Sequence, residues 1–319
     1  SIGIFGENNF AMRFPSALFG IASVYLLYLL ARRLYSERVG LLAAALLAVT
    51  LNHNYISRLG MQEAYVIFFL LLGVFLFLRA LDDSRYWLAV GAALGFGFLA
   101  KYNVAILAPI FLTHLALFRR DCFKKKELWL GVLVALVFAS PVIVYNAMLY
   151  RAVRHFDFQF SYIFGQHPDV WKVMPGKEIG SVAERIDNFM PRLVATQSWL
   201  FLLLVYISIT GGAIRWIVAK LPKADPRLWA VRFLAVLRQH AVLILCIVWL
   251  LILLLKIGPA YRFLTMLTPF LALVAALGLL EVESVMRQAS DGRARLWISG
   301  LILIFTFEIF YTVNNVIAY

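Results

Sequence analysis

Ten apolar runs, at approximately 14–34, 38–55, 63–81, 86–100, 103–118, 128–149, 198–219, 240–256, 262–280 and 296–316, constrain this chain more than any other feature. Most approach the roughly 20 residues that a helix needs to cross a hydrocarbon core of about 30 Å. A barrel would instead show strands of about ten residues with alternating polarity, and no such pattern runs through the chain. Of 319 residues, 63% are hydrophobic and 15% charged, with mean hydropathy +0.85. A soluble domain carries roughly 45–50% apolar residues. The predicted fold is therefore all-α and polytopic, one transmembrane domain over 1–319 with about ten spanning helices and a long external loop at 150–196. Pro141 and Pro269 fall inside predicted helices, where neighbours can satisfy the freed backbone groups. Gly91 and Gly95 make a small-xxx-small packing pattern.

The formal charge of +13 raises the question of nucleic acid. The basic residues argue against it, because they sit in short loops between apolar runs, as topology signals and headgroup contacts do. The loops alternate. Segments 32–38, 79–85, 119–127, 215–238 and 287–295 hold 19 of the 30 Lys and Arg residues, and the other side holds 11, six of them diluted in the long loop. The positive-inside rule makes the first set cytoplasmic. The N-terminal segment, the 150–196 loop and the C-terminal end then face the periplasm, a lumen or the exterior, and a prokaryotic cytoplasmic membrane suits this layout. Cys122 and Cys246 lie in different surroundings, so neither a disulfide framework nor zinc spacing is predicted.

The cytoplasmic loops look like ordinary topology loops, whereas the outer helix ends collect polar groups. These are Glu7, Asn8, Asn9 and Arg13; Asn52, His53, Asn54, Tyr55, Arg58, Gln62 and Glu63; Lys101, Tyr102 and Asn103; and Lys256, Tyr261 and Arg262. Ionisable groups so close to hydrocarbon are costly unless paired or used. An outward cluster of Arg and Lys suits a lipid-linked phosphate, since guanidinium grips phosphate oxygens bidentately. Glu63, five residues after Arg58, is placed to orient that arginine or to contact a sugar hydroxyl. The plainer alternative is snorkelling anchors and structural ion pairs. For single residues that alternative leads; for the cluster as a whole the functional reading does.

Other residues carry weaker signals. His53, His155 and His167 are far apart and lack a ligand motif, which leaves a divalent metal open and no metal residue assigned. Glu308, in the last predicted helix, is expected to sit in a structural ion pair. In the external loop Phe156, Phe158, Phe160 and Tyr162 alternate, which taken alone suggests a short strand. Aromatics beside a membrane also form interfacial belts. The preferred reading is an element on the membrane surface partly covering the outer cluster, with a structural cap as the alternative. No glycine-rich phosphate loop, nucleophile elbow or soluble nucleotide-sugar domain is present, so a sugar donor, if one is used, is lipid-borne.

FGENNFAMRFPSALFG, LARRLYSERVGLLAAALLA, SRLGMQEAYVIFFLLLGVFLFL, GAALGFGFLAKYN and, more loosely, YRFLTMLTPFLAL occur in this order. Together they resemble the membrane glycosyltransferases of the GT-C superfamily, in the protein O-mannosyltransferase-like group that includes bacterial aminoarabinose transferases. The likeness covers approximately residues 1–145 well and the remainder by helix pattern only. It implies a fold of roughly 11–13 membrane helices with an active site at the outer face. It further implies inverting transfer of a hexosyl or pentosyl group from a polyprenyl-phosphate sugar, with an acidic base in the first external loop and basic residues holding the donor phosphate. Arg13, Glu63 and Lys101 match family positions. By the same count the family's first helix and first external loop, with its catalytic base, precede Ser1, leaving Glu63 a supporting role. Arg58, Tyr261, Arg262 and His167 complete the candidate donor contacts.

The leading expectation is thus a polyprenyl-phosphate-dependent glycosyltransferase in contact with membrane lipids, acting on a protein, lipid or glycan acceptor. A transporter or lipid flippase would need polar or broken helices near the midplane, often in repeats, and helices 63–81 and 240–256 have uninterrupted apolar middles. A non-catalytic membrane subunit is the third alternative.

Overall fold

The computed structural model describes residues 2–166, 170, 181–218, 226–289 and 293–317, and among these there is no strand. Its helices are α1 (Ile2–Phe5), α2 (Asn9–Leu34), α3 (Glu37–Val49), α4 (Leu51–Arg58), α5 (Gln62–Asp82), α6 (Tyr86–Ala100), α7 (Leu107–Phe118), α8 (Lys126–Val153) and α9 (Phe158–Ile163). They continue with α10 (Val182–Thr196), α11 (Trp199–Val218), α12 (Pro226–Ile257), α13 (Tyr261–Leu264), α14 (Thr268–Ala289) and α15 (Arg293–Ile317). Short 3₁₀ turns at Tyr102–Ile106 and Arg120–Lys124 precede α7 and α8.

Local chemistry sets several starts. The Asn8 side chain accepts from the Ala11 N–H at 2.8 Å, and Ser36 accepts from Val39 at 3.3 Å. Ser181 and Glu184 satisfy each other's backbone N–H groups in a capping box. Pro226 opens α12, where a missing N–H costs nothing, so the basic segment read as a loop over 215–238 is already helical from that residue.

Six helical stretches are each long and apolar enough to cross a membrane: α2, α5, α8, Leu234–Ile257, Thr268–Met286 and Leu296–Val316. Two bent pairs, α3 with α4 (60°) and α10 with α11 (118°), raise the number to as many as eight. Tyr86–Ala100 and Tyr102–Phe118 are shorter apolar helices. The chain is an integral, multi-pass membrane protein.

Each predicted run meets a helix, with instructive differences. The run at 38–55 breaks at Thr50, whose backbone is extended. Thr50 turns its hydroxyl onto the Leu46 carbonyl, and the Asn54 amide caps the carbonyls of Ala48 and Thr50. Such side chains compete with the helical ladder. The run at 262–280 splits into the single turn of α13 and a helix that starts at Thr268, so Pro269 lies in a first turn rather than at a kink. α2 begins at Asn9, ahead of the run expected from 14, which puts Arg13 and Pro15 inside the helix. The alternating aromatics do not form a strand. Asp157 accepts from the Phe160 N–H at 3.0 Å, the bond of an N-cap, and α9 follows.

Packing is apolar at the centre, with Leu27, Leu46, Ile67, Leu71, Phe77 and Leu107 fully buried. A methyl group at Gly91 would collide with the Gly131 carbonyl oxygen, and one at Gly95 with the Phe138 side chain, so α6 and α8 cross where their backbones almost touch. Cys122 and Cys246 are both buried and unpaired. Among the described residues Glu308 makes no ion pair. It is buried and hydrogen-bonded to the Ser198 hydroxyl, which also accepts from the Phe201 N–H at 2.9 Å.

The arginine-rich end of the bundle is tied up structurally. Arg33 pairs with Asp82 and donates to the Leu78 carbonyl at 3.1 Å. Arg119 pairs with Asp121 at 3.1 Å and reaches the Leu81 carbonyl at 3.2 Å. The opposite end, where α5 begins and α6 ends, is arranged differently.

Candidate functional site

Glu63 is the second residue of α5 and only 3% exposed. A buried carboxylate needs partners, and two come from distant segments. Lys101 stands in extended backbone (φ −166°, ψ 136°) where the chain leaves α6, and its Nζ donates to Glu63 Oε1 at 2.5 Å. Arg262, on the single turn of α13, places Nε 3.6 Å from the same oxygen. Both cations also lie 5.0 Å from the Phe263 ring centroid, within cation–π range. Burial pushes the Lys101 ammonium below the usual lysine pKa, the Glu63 hydrogen bond pulls it back up, and Arg262 lowers it again. One carboxylate against two cations leaves one net positive charge, carried outward by an Arg262 side chain that is 48% exposed.

The turn bearing Arg262 is pinned from α4. Asn52 donates to the Tyr261 carbonyl at 3.3 Å, and the Thr265 hydroxyl lies 3.1 Å from Asn52 Oδ1 and 2.9 Å from the Arg262 carbonyl. On the other flank Tyr102, next to Lys101, hydrogen-bonds the Asp157 carboxylate. Asn146 of α8 clamps Asp157 from both sides, donating to its carboxylate at 3.2 Å and accepting from its backbone at 3.0 Å. Tyr102 also meets Phe160 edge-on at 5.3 Å. The start of the 150–196 segment is thereby fastened beside the charged group. Beyond the turn, Leu51, Asn52, Tyr55, Thr196, Tyr261 and Asn315 border a pocket of about 300 Å³.

The structure therefore brings Glu63, Lys101 and Arg262 into contact and sets Tyr261 next to them. Arg58 is not among them. It donates to the Val316 carbonyl at 3.0 Å, at the end of α15, so Glu63 does not orient Arg58 as its spacing had suggested. Arg13 is exposed, with its backbone against the Gly60 turn that leads into α5, and its side chain makes no ion pair among the described residues. His167 lies outside the described residues. His53 is buried, with Nε2 3.2 Å from the Gly20 carbonyl, and His155 Nδ1 lies 2.7 Å from the Phe156 carbonyl. Among the described residues no three His, Cys, Asp or Glu side chains gather as they would around a metal ion. Asn146, Asp157 and Phe263 support the group and were not singled out by sequence, while Asn52 was noted only as one of the polar groups at the outer helix ends. The only signal toward them was the aromatic run around Asp157 and the excess of amides at the outer helix ends.

Residues 1–145 match the family model described as dolichyl-phosphate-mannose-protein mannosyltransferase, which bears out the resemblance to GT-C enzymes. YkcB of Bacillus subtilis, named as a mannosyltransferase, is 31% identical over 150 residues, 45% of this chain and 21% of that protein. An undecaprenyl phosphate-alpha-4-amino-4-deoxy-L-arabinose arabinosyl transferase of Sodalis glossinidius is 32% identical over 113 residues, 33% of this chain and 20% of its own length. Among solved structures, ArnT from Cupriavidus metallidurans bound to undecaprenyl phosphate aligns with a TM-score of 0.55 at 16% identity, covering 87% of this chain and 47% of that one. The Archaeoglobus fulgidus oligosaccharyltransferase aligns with a TM-score of 0.59 at 15% identity, covering 98% and 45%. These two likenesses establish the GT-C type of fold. The chain spans less than half the length of each of these relatives.

Proposed function

We propose that this protein transfers a sugar from a polyprenyl-phosphate donor to an acceptor hydroxyl at the outer membrane face, with inversion at the anomeric carbon. The observation that carries the reading is the Lys101–Glu63–Arg262 group, whose surplus positive charge stands at one end of an apolar bundle. The names of its relatives agree, because they pair this type of chain with undecaprenyl-phosphate sugars. Arg262 and Lys101 would hold the donor phosphate, Glu63 would fix the two cations in place, and Arg13 would approach from the neighbouring helix start. The acceptor oxygen forms a bond to the anomeric carbon as the bond from that carbon to the phosphate oxygen breaks, and polyprenyl phosphate leaves. The acceptor proton passes to a carboxylate base, which the family pattern sets N-terminal to Arg13. Cations held ready at the leaving group lower the barrier without reorganising. The positive-inside charge pattern supports placing this end at the periplasm or cell exterior.

The test is transfer of a labelled sugar from synthetic polyprenyl-phosphate sugars by the protein reconstituted in liposomes. Lys101→Ala and Arg262→Ala are expected to lower kcat/KM by about 10²–10³, the loss typical of one electrostatic stabiliser. Undiminished transfer in both would sink the residue assignments. Translocation of lipid without any transfer would favour a flippase.

A further inference from the structure

We infer that the pocket between α4, the end of α10, the turn of α13 and the end of α15 is an uncharged carbohydrate subsite. The inference rests on reading the neighbouring cations as phosphate holders, and adds to it the place where a sugar ring sits. The chemistry of the walls is the first argument. None of the described residues that line the pocket is charged, so a phosphate would find no counter-ion among them. Its polar groups are amides and hydroxyls, from Asn52, Asn315, Thr196, Tyr55 and Tyr261, with Leu51 adding apolar surface. A pyranose or pentose has the same duality, with hydroxyls at its rim and C–H groups on its faces.

The walls are also prepared rather than collapsed on themselves. The Asn52 amide is committed on both sides, to Tyr261 and to Thr265, which makes it a rigid wall. Asn315 donates to the Tyr311 carbonyl at 2.8 Å, which leaves its own carbonyl oxygen to accept. Thr196 donates to the Leu193 carbonyl at 2.9 Å and keeps its lone pairs. Tyr261 is 58% exposed, the condition of a side chain waiting for cover. Size and position agree. A volume of about 300 Å³ stands at the small end of ligand pockets, suited to one monosaccharide and too short for a polyprenyl tail. Tyr261 lines the pocket while the next residue, Arg262, touches Glu63, so the subsite adjoins the charged group through one peptide unit.

The ring comes either from the donor or from a glycan acceptor, and binding measurements on the purified protein separate the two. The probes are undecaprenyl phosphate, undecaprenyl-phosphate mannose, methyl mannoside and methyl mannobioside. For a donor sugar, Asn315→Leu and Thr196→Val are each expected to weaken undecaprenyl-phosphate mannose by about three- to tenfold, one neutral hydrogen bond, with sugar-free undecaprenyl phosphate unchanged. For an acceptor, both lipids keep their affinity and the mannobioside weakens by the same factor. Asn315→Gln, which keeps the amide, recovers part of the loss, while a shared collapse of every affinity with a lowered unfolding midpoint is countered by the result for Thr196→Val alone. Unchanged affinity for all four probes in both variants overturns the subsite, as does an equal loss for sugar-free lipid. If the wild-type protein transfers nothing yet loses methyl mannoside binding on Asn315→Leu, the transferase reading fails and the subsite stands.

Discussion

Glu63 and Lys101 sit almost out of solvent, with side chains 5% and 12% exposed, so their pairing is a matter of cost as well as attraction. Removing one member of a buried pair leaves the other charged and uncompensated, a penalty of about 3–5 kcal/mol where nothing else is near. Arg262, 3.6 Å away, covers part of it. Lys101→Met is therefore expected to destabilise by about 3 kcal/mol, and Glu63→Gln/Lys101→Met by clearly less, because the double change removes the stranded carboxylate. Denaturant titration in detergent micelles checks this; equal losses in the single and double variants would show that the two charges are not coupled.

The same lysine sets a pH dependence of known sign. Its pKa is held below the lysine value by burial first, so it loses its proton earlier than in the unfolded chain. Between the lowered folded value and about 10.4 in the unfolded chain, the unfolded state binds more protons, and stability rises with pH. Phosphate binding has the opposite sign, since the holding charge disappears across that interval. Affinity for undecaprenyl phosphate should fall on the alkaline side sooner than an ordinary lysine would allow, and Lys101→Arg should move the fall upward, a guanidinium staying charged. At this scale the charged members were legible as ionisable groups at depth. Their partners were not: Asn52 meets Tyr261 across 209 positions and Tyr102 meets Asp157 across 55, and no local pattern records such meetings.

Among the elements, α10 is unlike its neighbours. Val182, Ile186, Met190 and Val194 recur every fourth residue and are all exposed, while Glu184, Arg185, Asp187 and Arg192 occupy other positions. Arg185 donates to the carbonyls of Leu255 and Lys256 at 2.9 and 2.7 Å, holding the helix at the end of α12, and a bend of 118° separates it from the apolar α11. A helix with one apolar stripe that meets a spanning helix at such a bend suits the lipid interface. Nitroxide labels at Ile186 and Met190 should be reached by oxygen in the bilayer, and a label at Asp187 by an aqueous relaxant. Equal aqueous access at all three would remove the interfacial placement. The sequence reading put a membrane-surface element at Phe156, Phe158, Phe160 and Tyr162 and singled out nothing in the stretch that forms α10. The alternation of Phe156, Phe158 and Phe160 misled, because the Asp157 cap bond converts that stretch to helix, and period-two aromatic spacing carries no information about a carboxylate between its first two aromatics.

At the scale of the whole molecule, the two ends of the bundle divide the work. One is laced by arginines bonded to helix-end carbonyls and nearby carboxylates; the other holds the Lys101–Glu63–Arg262 group and the pocket. The helical architecture was readable because apolar length is a strong signal. Helix breaks at Thr50 and before Thr268 were hidden, since hydropathy averages over the side chains that cap carbonyls there. The proposed orientation rests on charge, with 19 of the 30 Lys and Arg residues in the loops read as cytoplasmic. In a variant lacking Cys122 and Cys246, a cysteine at Arg154 should react with a membrane-impermeant maleimide added outside sealed right-side-out vesicles, and one at Arg120 only after permeabilisation. A reversed pattern would turn Lys101 and Arg262 toward the cytoplasm, where the proposed outer-face transfer could not take place. The outward result makes a further demand. The donor must then present its phosphate and sugar in the outer leaflet, so liposomes carrying labelled polyprenyl-phosphate sugar only in that leaflet should support transfer at the full rate, and those carrying it only in the inner leaflet should support none.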